Sequence, residues 1–453
     1  MSVERPGGDA AITLREVAAA HAAGRKAEAR ALCDRVLAAA PSDGDTLMWS
    51  GLIAMTELCW AEAAQAFQQA LAARLEPWSL ANLGACYLKL GRLEEAEACL
   101  RQATALEPGL FGAYISLAAV LHGLRRFEDA LAELACAARI APDDHQVDQR
   151  RGCTLAALGR YDEAQQAFER SVALAPDFVY SRLAKFDRAT FESIATPPAF
   201  PPPVVALAAE APDGGGVILV SCNPEYARKY GFAFMRSYAQ HARTVDLLHI
   251  HVVDPDANIV EEIRAAAAGA GLGTLCVTTE QSPFPASAFR QRRTYYACAR
   301  MVHFAHWLER YQRPILVLDT DVIVERPVYP LFDSLKGNDL CLNAREPIDS
   351  PWLDVIANVI VASPTARAKR YFERVASYAV ALLHSEPQAW MTDQAALYCV
   401  LKMLERYDAP PAVSWLRQAH ESGLFHLGYA YDHAMADPRF TKYSMPHTHR
   451  KGG

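Results

Sequence analysis

The chain has 453 residues, more than one ordinary core holds, and at about 100–200 residues per domain that length implies two to four units. Hydrophobic residues at 51% and charged residues at 21% exclude a wholly disordered chain. The net charge of −7, divided as 20 basic against 25 acidic residues in 1–190 and 25 against 27 in the remainder, argues against nonspecific binding to nucleic acid or anionic membrane.

No uninterrupted apolar stretch reaches the roughly 18 residues that cross a bilayer, and the opening MSVERPGGDA has no apolar segment behind a basic start. The chain is therefore expected to be soluble and cytoplasmic. Its eleven cysteines are dispersed and never form C-x-x-C, so they read as reduced, buried small side chains and not as zinc or redox pairs.

In chain order the first feature is a repeat. Ala29, Ala63, Ala96, Ala130 and Ala164 recur at intervals of 34, 33, 34 and 34 residues, and Gly51, Gly84, Ala118 and Gly152 at 33, 34 and 34. Pro108, Pro142 and Pro176 close three units 34 residues apart, Pro41 ends the first, and Pro77 is displaced. Small residues let antiparallel helices approach closely, and a proline after each pair ends it. With Ala63 to Phe67 and Ala164 to Phe168 as A-x3-F and Leu83, Gly84 and Tyr87 as L-G-x2-Y, the segment resembles the tetratricopeptide repeat. About five helix pairs are expected over residues 10–177, with a capping helix at 178–195 over the last repeat's apolar face.

TPPAFPPP and the following Asp213 to Gly216 turn mark a linker over 196–215. Beyond it, over 216–450, short apolar runs alternate with amphipathic segments. Strands are expected at 216–223, 245–254, 274–279 and 314–324, and helices at 226–241, 258–270 and 292–311. That alternation predicts a mainly parallel α/β sheet with helices on both faces and a ligand beyond the carboxyl ends of its strands. The fold class is thus α followed by α/β.

ILVLDTDVIV sets Asp319 and Asp321 between branched aliphatics. Two carboxylates in an apolar strand call for a neutralising partner, and magnesium or manganese fits hard oxygen ligands at this spacing; the plainer alternative is two acids at an exposed strand end. The window from Tyr295 to Pro327 resembles GT-A glycosyltransferases, specifically family 8, through an aromatic and an arginine on a helix, an apolar strand and the D-x-D pair. The likeness is specific in this window and loose over about 217–450.

The resemblance implies a Rossmann-like domain transferring a sugar from a nucleotide diphosphate sugar, with a uridine diphosphate sugar as the expected donor and Mn2+ or Mg2+ as cofactor. Asp319 and Asp321 would hold the metal, and Thr320 and Arg300 would line the donor. The D-Q pair Asp393 and Gln394 would face the transferred sugar or the acceptor, although an aspartate at a helix start also simply suits the dipole. Where the family has Asn-Ala-Gly this chain has Ile356, Ala357 and Asn358, with Asn358 as the substitute. His447, His449 and Lys451 of the tail resemble the family's late metal and diphosphate ligands, with His426 in competition and a solvated tail as the bland alternative. Ser221, Asn223 and Tyr226, at the end of the first strand, occupy the nucleoside position, where an Asn-Pro is otherwise an ordinary turn. His249 and His251 share one face of a strand and are expected to pack, since no third ligand is evident.

The repeats suggest that the acceptor is a protein or peptide. One alternative is an adaptor carrying a degenerate transferase domain. A sugar-phosphate nucleotidyltransferase ranks last, because no G-x-G loop follows the first strand.

Overall fold

A computed structural model describes residues 14–178, 180–209, 213–344, 355–385, 391–417 and 427–429. The chain divides between Pro176 and Asp177 into two compact units.

The first unit is five helix pairs: Leu14–Ala22 with Lys26–Ala39, Gly44–Thr56 with Trp60–Ala73, Pro77–Lys89 with Leu93–Leu106, Phe111–Gly123 with Phe127–Ile140, and His145–Ala157 with Tyr161–Leu174. The repeated small residues sit where the two helices of a pair touch. A Cβ on Gly51 would meet the Phe67 ring at 2.8 Å, on Gly84 the Leu100 side chain at 2.6 Å, and on Gly152 the Phe168 ring at 2.7 Å. Each partner lies 16 residues downstream and is fully buried. The alanine series, Ala29, Ala63, Ala96, Ala130 and Ala164, is fully buried as well. Pro41, Pro108, Pro142 and Pro176 each follow the last helical residue by two positions, whereas Pro77 opens its helix, where a missing N–H costs nothing.

The second unit opens differently from expectation. Residues 178–195 do not form one capping helix. A 3-10 turn at Tyr180–Leu183 and a short helix at Arg188–Ser193, capped by Asp187, belong to the second unit. They are held there by its own helices: the Tyr378 hydroxyl donates to the Leu183 carbonyl at 2.6 Å, Arg374 to the Phe191 carbonyl at 2.9 Å, and Ser377 to the Thr196 carbonyl at 3.0 Å. The expected linker already contains strand β1 (Val204–Leu207).

The remaining strands are β2 (Val217–Cys222), β3 (Leu247–Val253), β4 (Leu275–Glu280), β5 (Ile315–Leu318), β6 (Val322–Val324), β7 (Leu340–Ala344), β8 (Val355–Ala362), β9 (Val413–Arg417) and β10 (Leu427–Tyr429). Eight of them form one sheet in the order β1-β4-β3-β2-β5-β8-β7-β9, and β10 pairs with β6. The sheet is mixed: β4, β3, β2, β5, β7 and β9 all run in one direction, as expected of a mainly parallel sheet, while β1 and β8 are reversed, so the β1-β4, β5-β8 and β8-β7 pairs are antiparallel.

Alternation decides the two faces. Ile218, Val220, Leu248, Ile250 and Val252 pack with Phe234, Met235 and Ile263 from the helices Phe232–Ala239 and Ile259–Gly269. On the other face His249 and His251, both fully buried, meet the Trp307 ring of the Phe304–Tyr311 helix at 5.0 and 5.1 Å. The helix expected at 292–311 is two, Phe289–Val302 and Phe304–Tyr311, broken at His303. The helix expected at 226–241 begins with a π-turn at Ala227–Gly231.

Candidate functional site

After β2 the chain crosses to β3 and β4 on one side and then returns to β5 on the other, so β2 and β5 flank the point at which strand order reverses. A crevice forms there because the two outgoing connections diverge. The 314–324 run, expected as one strand, is interrupted here. Asp319, Thr320 and Asp321 form the turn between β5 and β6, which keeps both carboxylates out of the sheet interior. The turn is fixed to the end of β2 by Thr320, whose hydroxyl donates to the Ser221 carbonyl at 2.9 Å.

A cavity of about 660 Å3 lies at this point, lined by Ser221, Asn223, Tyr226, Arg300, Asp319, Thr320, Asp321, Asn358, Asp393 and Gln394. The structure thus brings together ten residues singled out in the sequence from five separate segments. His426, His447, His449 and Lys451 lie outside the described residues.

The internal wiring is electrostatic. Arg300 is 7% exposed and donates through Nη1 to Asp319 Oδ1, with Nη2 lying 3.6 Å from Asp393 Oδ2. The Tyr226 hydroxyl donates to Asp321 Oδ2 at 2.6 Å. Burial raises the Asp321 carboxyl above its ordinary range and the Asp319 charge raises it further, against the lowering effect of the Tyr226 bond. Asp393, at the first turn of the Thr392–Tyr407 helix, is pushed up to about 6 by burial, with Arg300 opposing and Asp319 reinforcing the shift. Paired carboxylates held against their preference for water are a site for added positive charge.

Two buried polar atoms of lining residues, Ser221 Oγ and Arg300 Nε, have no hydrogen-bond partner. Such atoms cost stability unless something fills the cavity and satisfies them. With Asp319 and Asp321 as hard oxygen donors, the residues present fit a magnesium or manganese ion together with a polar, anionic ligand. Asn223 carries a structural duty: its Oδ1 accepts from the Tyr226 N–H at 2.9 Å and caps the turn. On β8, Asn358 Oδ1 accepts from Asn343 Nδ2 at 3.0 Å.

Of one wall of the cavity, sequence reasoning found Arg300 and missed the rest. Phe289, Arg292, Arg293, Tyr296, Ala297 and Arg300 all line it, at the i, i+3, i+4, i+7, i+8, i+11 spacing of a single helix face. Asp254 orients two of them, accepting from Arg292 Nε at 2.7 Å and from the Tyr296 hydroxyl at 2.9 Å. Lys229 and Glu225, from the turn after β2, were missed too. The helical spacing was the available signal for the first group; Lys229 and Glu225 offered none.

Among the described residues no helix is long and apolar enough to cross a membrane. Tetratricopeptide repeat models match residues 77–110 and 149–178. Among curated proteins none matches. Solved structures similar to this chain include YrrB, a TPR protein with an unusual peptide-binding site, at 20% identity over 37% of this chain and 86% of that one, TM-score 0.33. They also include MamA, at 20% identity over 36% of this chain and 95% of that one, TM-score 0.33. The first unit of this chain carries tetratricopeptide repeats, a class of module associated with protein and peptide partners, joined to a mixed-sheet domain with helices.

Proposed function

We propose that the second unit is a GT-A-type glycosyltransferase that moves a sugar from a nucleotide diphosphate sugar to an acceptor recruited by the repeats. The observation that carries this reading is the convergence of Asp319, Asp321 and Arg300 on one cavity at the reversal of strand order, beside the end of β2. That location suits a nucleotide, the acid pair suits a divalent cation, and the basic residues Lys229, Arg292, Arg293 and Arg300 suit a diphosphate.

Asp319 and Asp321 are the residues that would hold Mn2+ or Mg2+, which supplies Lewis-acid stabilisation of a leaving diphosphate. In the proposed reaction the bond from the sugar anomeric carbon to the diphosphate oxygen breaks, and a bond from that carbon to an acceptor oxygen or nitrogen forms, with loss of the acceptor proton. Arg300 adds a fixed cation beside the acid pair. Tyr226 presents its ring at the nucleoside end while its hydroxyl steadies Asp321. Asp393 and Gln394 face the sugar or acceptor from the start of their helix. A bound substrate that excludes water from the crevice would strengthen each of these charge interactions.

Incubation of the full chain with a panel of sugar nucleotides and Mn2+ is expected to yield metal-dependent hydrolysis or transfer. The Asp319→Asn, Asp321→Asn double variant is expected to lose it by at least about 100-fold. Undiminished turnover in that variant would remove the assignment.

The repeats themselves favour a second reading, an adaptor whose second unit does not catalyse. A ligand that binds only the folded chain raises its melting temperature, so uridine or guanosine diphosphate with Mn2+ separates the two readings. Stabilisation supports the transferase, and its absence supports the adaptor.

A further inference from the structure

A second cluster lies apart from the cavity just described, on the buried face of β3 and β4. His251, Glu280 and His303 each offer one ligand atom, and these atoms lie within 4.8 Å of one another; none of the three lines the candidate site. In the sequence His251 had no visible third partner, because Glu280 and His303 lie 29 and 52 residues further on. Strand pairing and the break between two helices bring them together.

Glu280 joins the two rings: Oε1 is 3.0 Å from His251 Nε2 and Oε2 is 2.6 Å from His303 Nε2, while the Tyr295 hydroxyl donates to Oε1 at 3.0 Å. Burial alone would raise the Glu280 carboxyl, but its bonds to the two histidines outweigh burial and lower it to about 2.

We propose that His251, Glu280 and His303 form a buried zinc site, distinct from the Asp319 and Asp321 pair in both place and chemistry. Two imidazoles and one carboxylate are a nitrogen-rich set that suits zinc, whereas an all-oxygen acid pair suits magnesium or manganese. Zinc holds such atoms at about 2.0–2.2 Å in a tetrahedron, so ligands sit about 3.4 Å apart. The cluster needs to contract by little more than about an ångström from its widest spacing.

Outer partners complete the argument. The Thr278 hydroxyl lies 3.0 Å from His251 Nδ1 and 2.7 Å from His249 Nε2, and the Tyr311 hydroxyl lies 3.2 Å from His249 Nδ1. Without metal, one consistent set of protons runs from Tyr311 to His249, from His249 to Thr278, from Thr278 to His251, and from His251 to Glu280. When zinc takes the His251 Nε2 lone pair, Nδ1 carries the proton and donates to Thr278, Thr278 donates to His249, and His249 donates to Tyr311. Every group in that line keeps a partner in both states, as outer shells of histidine metal sites require.

The test uses the full chain, stripped with a chelator and reloaded with Zn2+, with bound metal measured after gel filtration and Co2+ substituted for its visible spectrum. One tightly held equivalent is expected, with the absorption of four-coordinate Co2+. The His251→Gln, His303→Gln variant is expected to bind roughly 100-fold more weakly. Glu280→Gln, which preserves size and can still hydrogen-bond, gives a second test if that variant does not fold, with the same loss expected. Uptake is expected to persist in Asp319→Asn, Asp321→Asn and in His447→Ala, His449→Ala. No tight equivalent in the wild-type chain, wild-type affinity in Glu280→Gln, or loss of uptake in either of the last two variants would overturn the proposal. Because the readout is metal content, failure of the transferase reading leaves it standing.

Discussion

The Tyr226 hydroxyl donates to Asp321 Oδ2 at 2.6 Å and so ties the turn after β2 to the turn after β5, although 95 residues separate them in sequence. The bond holds one carboxylate oxygen in place beside a second acid, which would otherwise repel it. Tyr226→Phe keeps the ring and removes only the hydroxyl. In the transferase reading its Mn2+ dissociation constant, measured by calorimetric titration, is expected to rise about tenfold, the usual effect of losing an outer partner of a metal ligand. An unchanged constant would mean that Asp321 does not depend on this bond for its orientation.

Arg300 stands between Asp319 and Asp393 and is itself almost wholly buried. Removing one partner of a buried ion pair leaves an uncompensated charge, so Arg300→Ala is expected to cost about 3 kcal/mol or more in denaturant unfolding of the second unit. Adding Asp393→Asn removes one of the two stranded acids. The double variant is therefore expected to recover part of the loss, and a strictly additive double variant would show that the three groups do not act together.

Much of this was legible in the sequence, for reasons that differ by region. The repeats declared themselves because packing demands a small residue at one contact per helix pair, and Gly51, Gly84 and Gly152 are where a side chain cannot fit. The parallel strands were legible because burial on both faces leaves continuous apolar runs such as Val217 to Val220. The same rule misled at 314–324: apolar residues on both sides of Asp319 and Asp321 read as one strand, whereas the pair forms a turn between strands of two different sheets. The antiparallel part went unread because β5 pairs not with its neighbour in sequence but with β8, across the intervening β6 and β7. The 178–195 segment was misassigned because its aromatic residues carry no mark of which neighbour they cover.

The repeat contacts make a prediction for the first unit. In Gly152→Ala the new methyl would lie 2.7 Å from the Phe168 ring, which is fully buried and cannot swing away without moving its helix. Overpacking of this kind costs about 1–3 kcal/mol. Gly112, in the helix Phe111–Gly123, has open space around the same position. Gly112→Ala is expected to stabilise slightly through helix propensity, by less than the ~1 kcal/mol of a helix interior because Gly112 lies in the first turn. Opposite shifts in the helical unfolding midpoint, followed by circular dichroism, are the expected result; equal shifts would mean that the pair contact does not set the glycine.

The candidate site also predicts a pH dependence through Asp393, which is pushed from its ordinary 3.8 up to about 6 by burial, with Arg300 opposing the shift and Asp319 adding to it. The folded-state value lies above the unfolded one, so the fold favours the protonated acid. Well below pH 3.8 the group is protonated in both states and its effect on stability is nil. Between about 4 and 6 the unfolded chain has lost this proton while the folded chain keeps it, so stability falls as pH rises. Above about 6 the group is ionised in both states and the full penalty, about 3 kcal/mol at most for a shift of this size, is present. Asp393→Asn cannot ionise and escapes that penalty. Relative to the wild-type chain its melting temperature is expected to be similar near pH 4 and higher at pH 7.5, with the change centred between them. In the transferase reading the same variant loses turnover at pH 7.5, because a carboxylate facing the sugar has become an amide, so stability and activity move in opposite directions at one residue. A melting difference that does not vary with pH would show that Asp393 titrates as an ordinary acid.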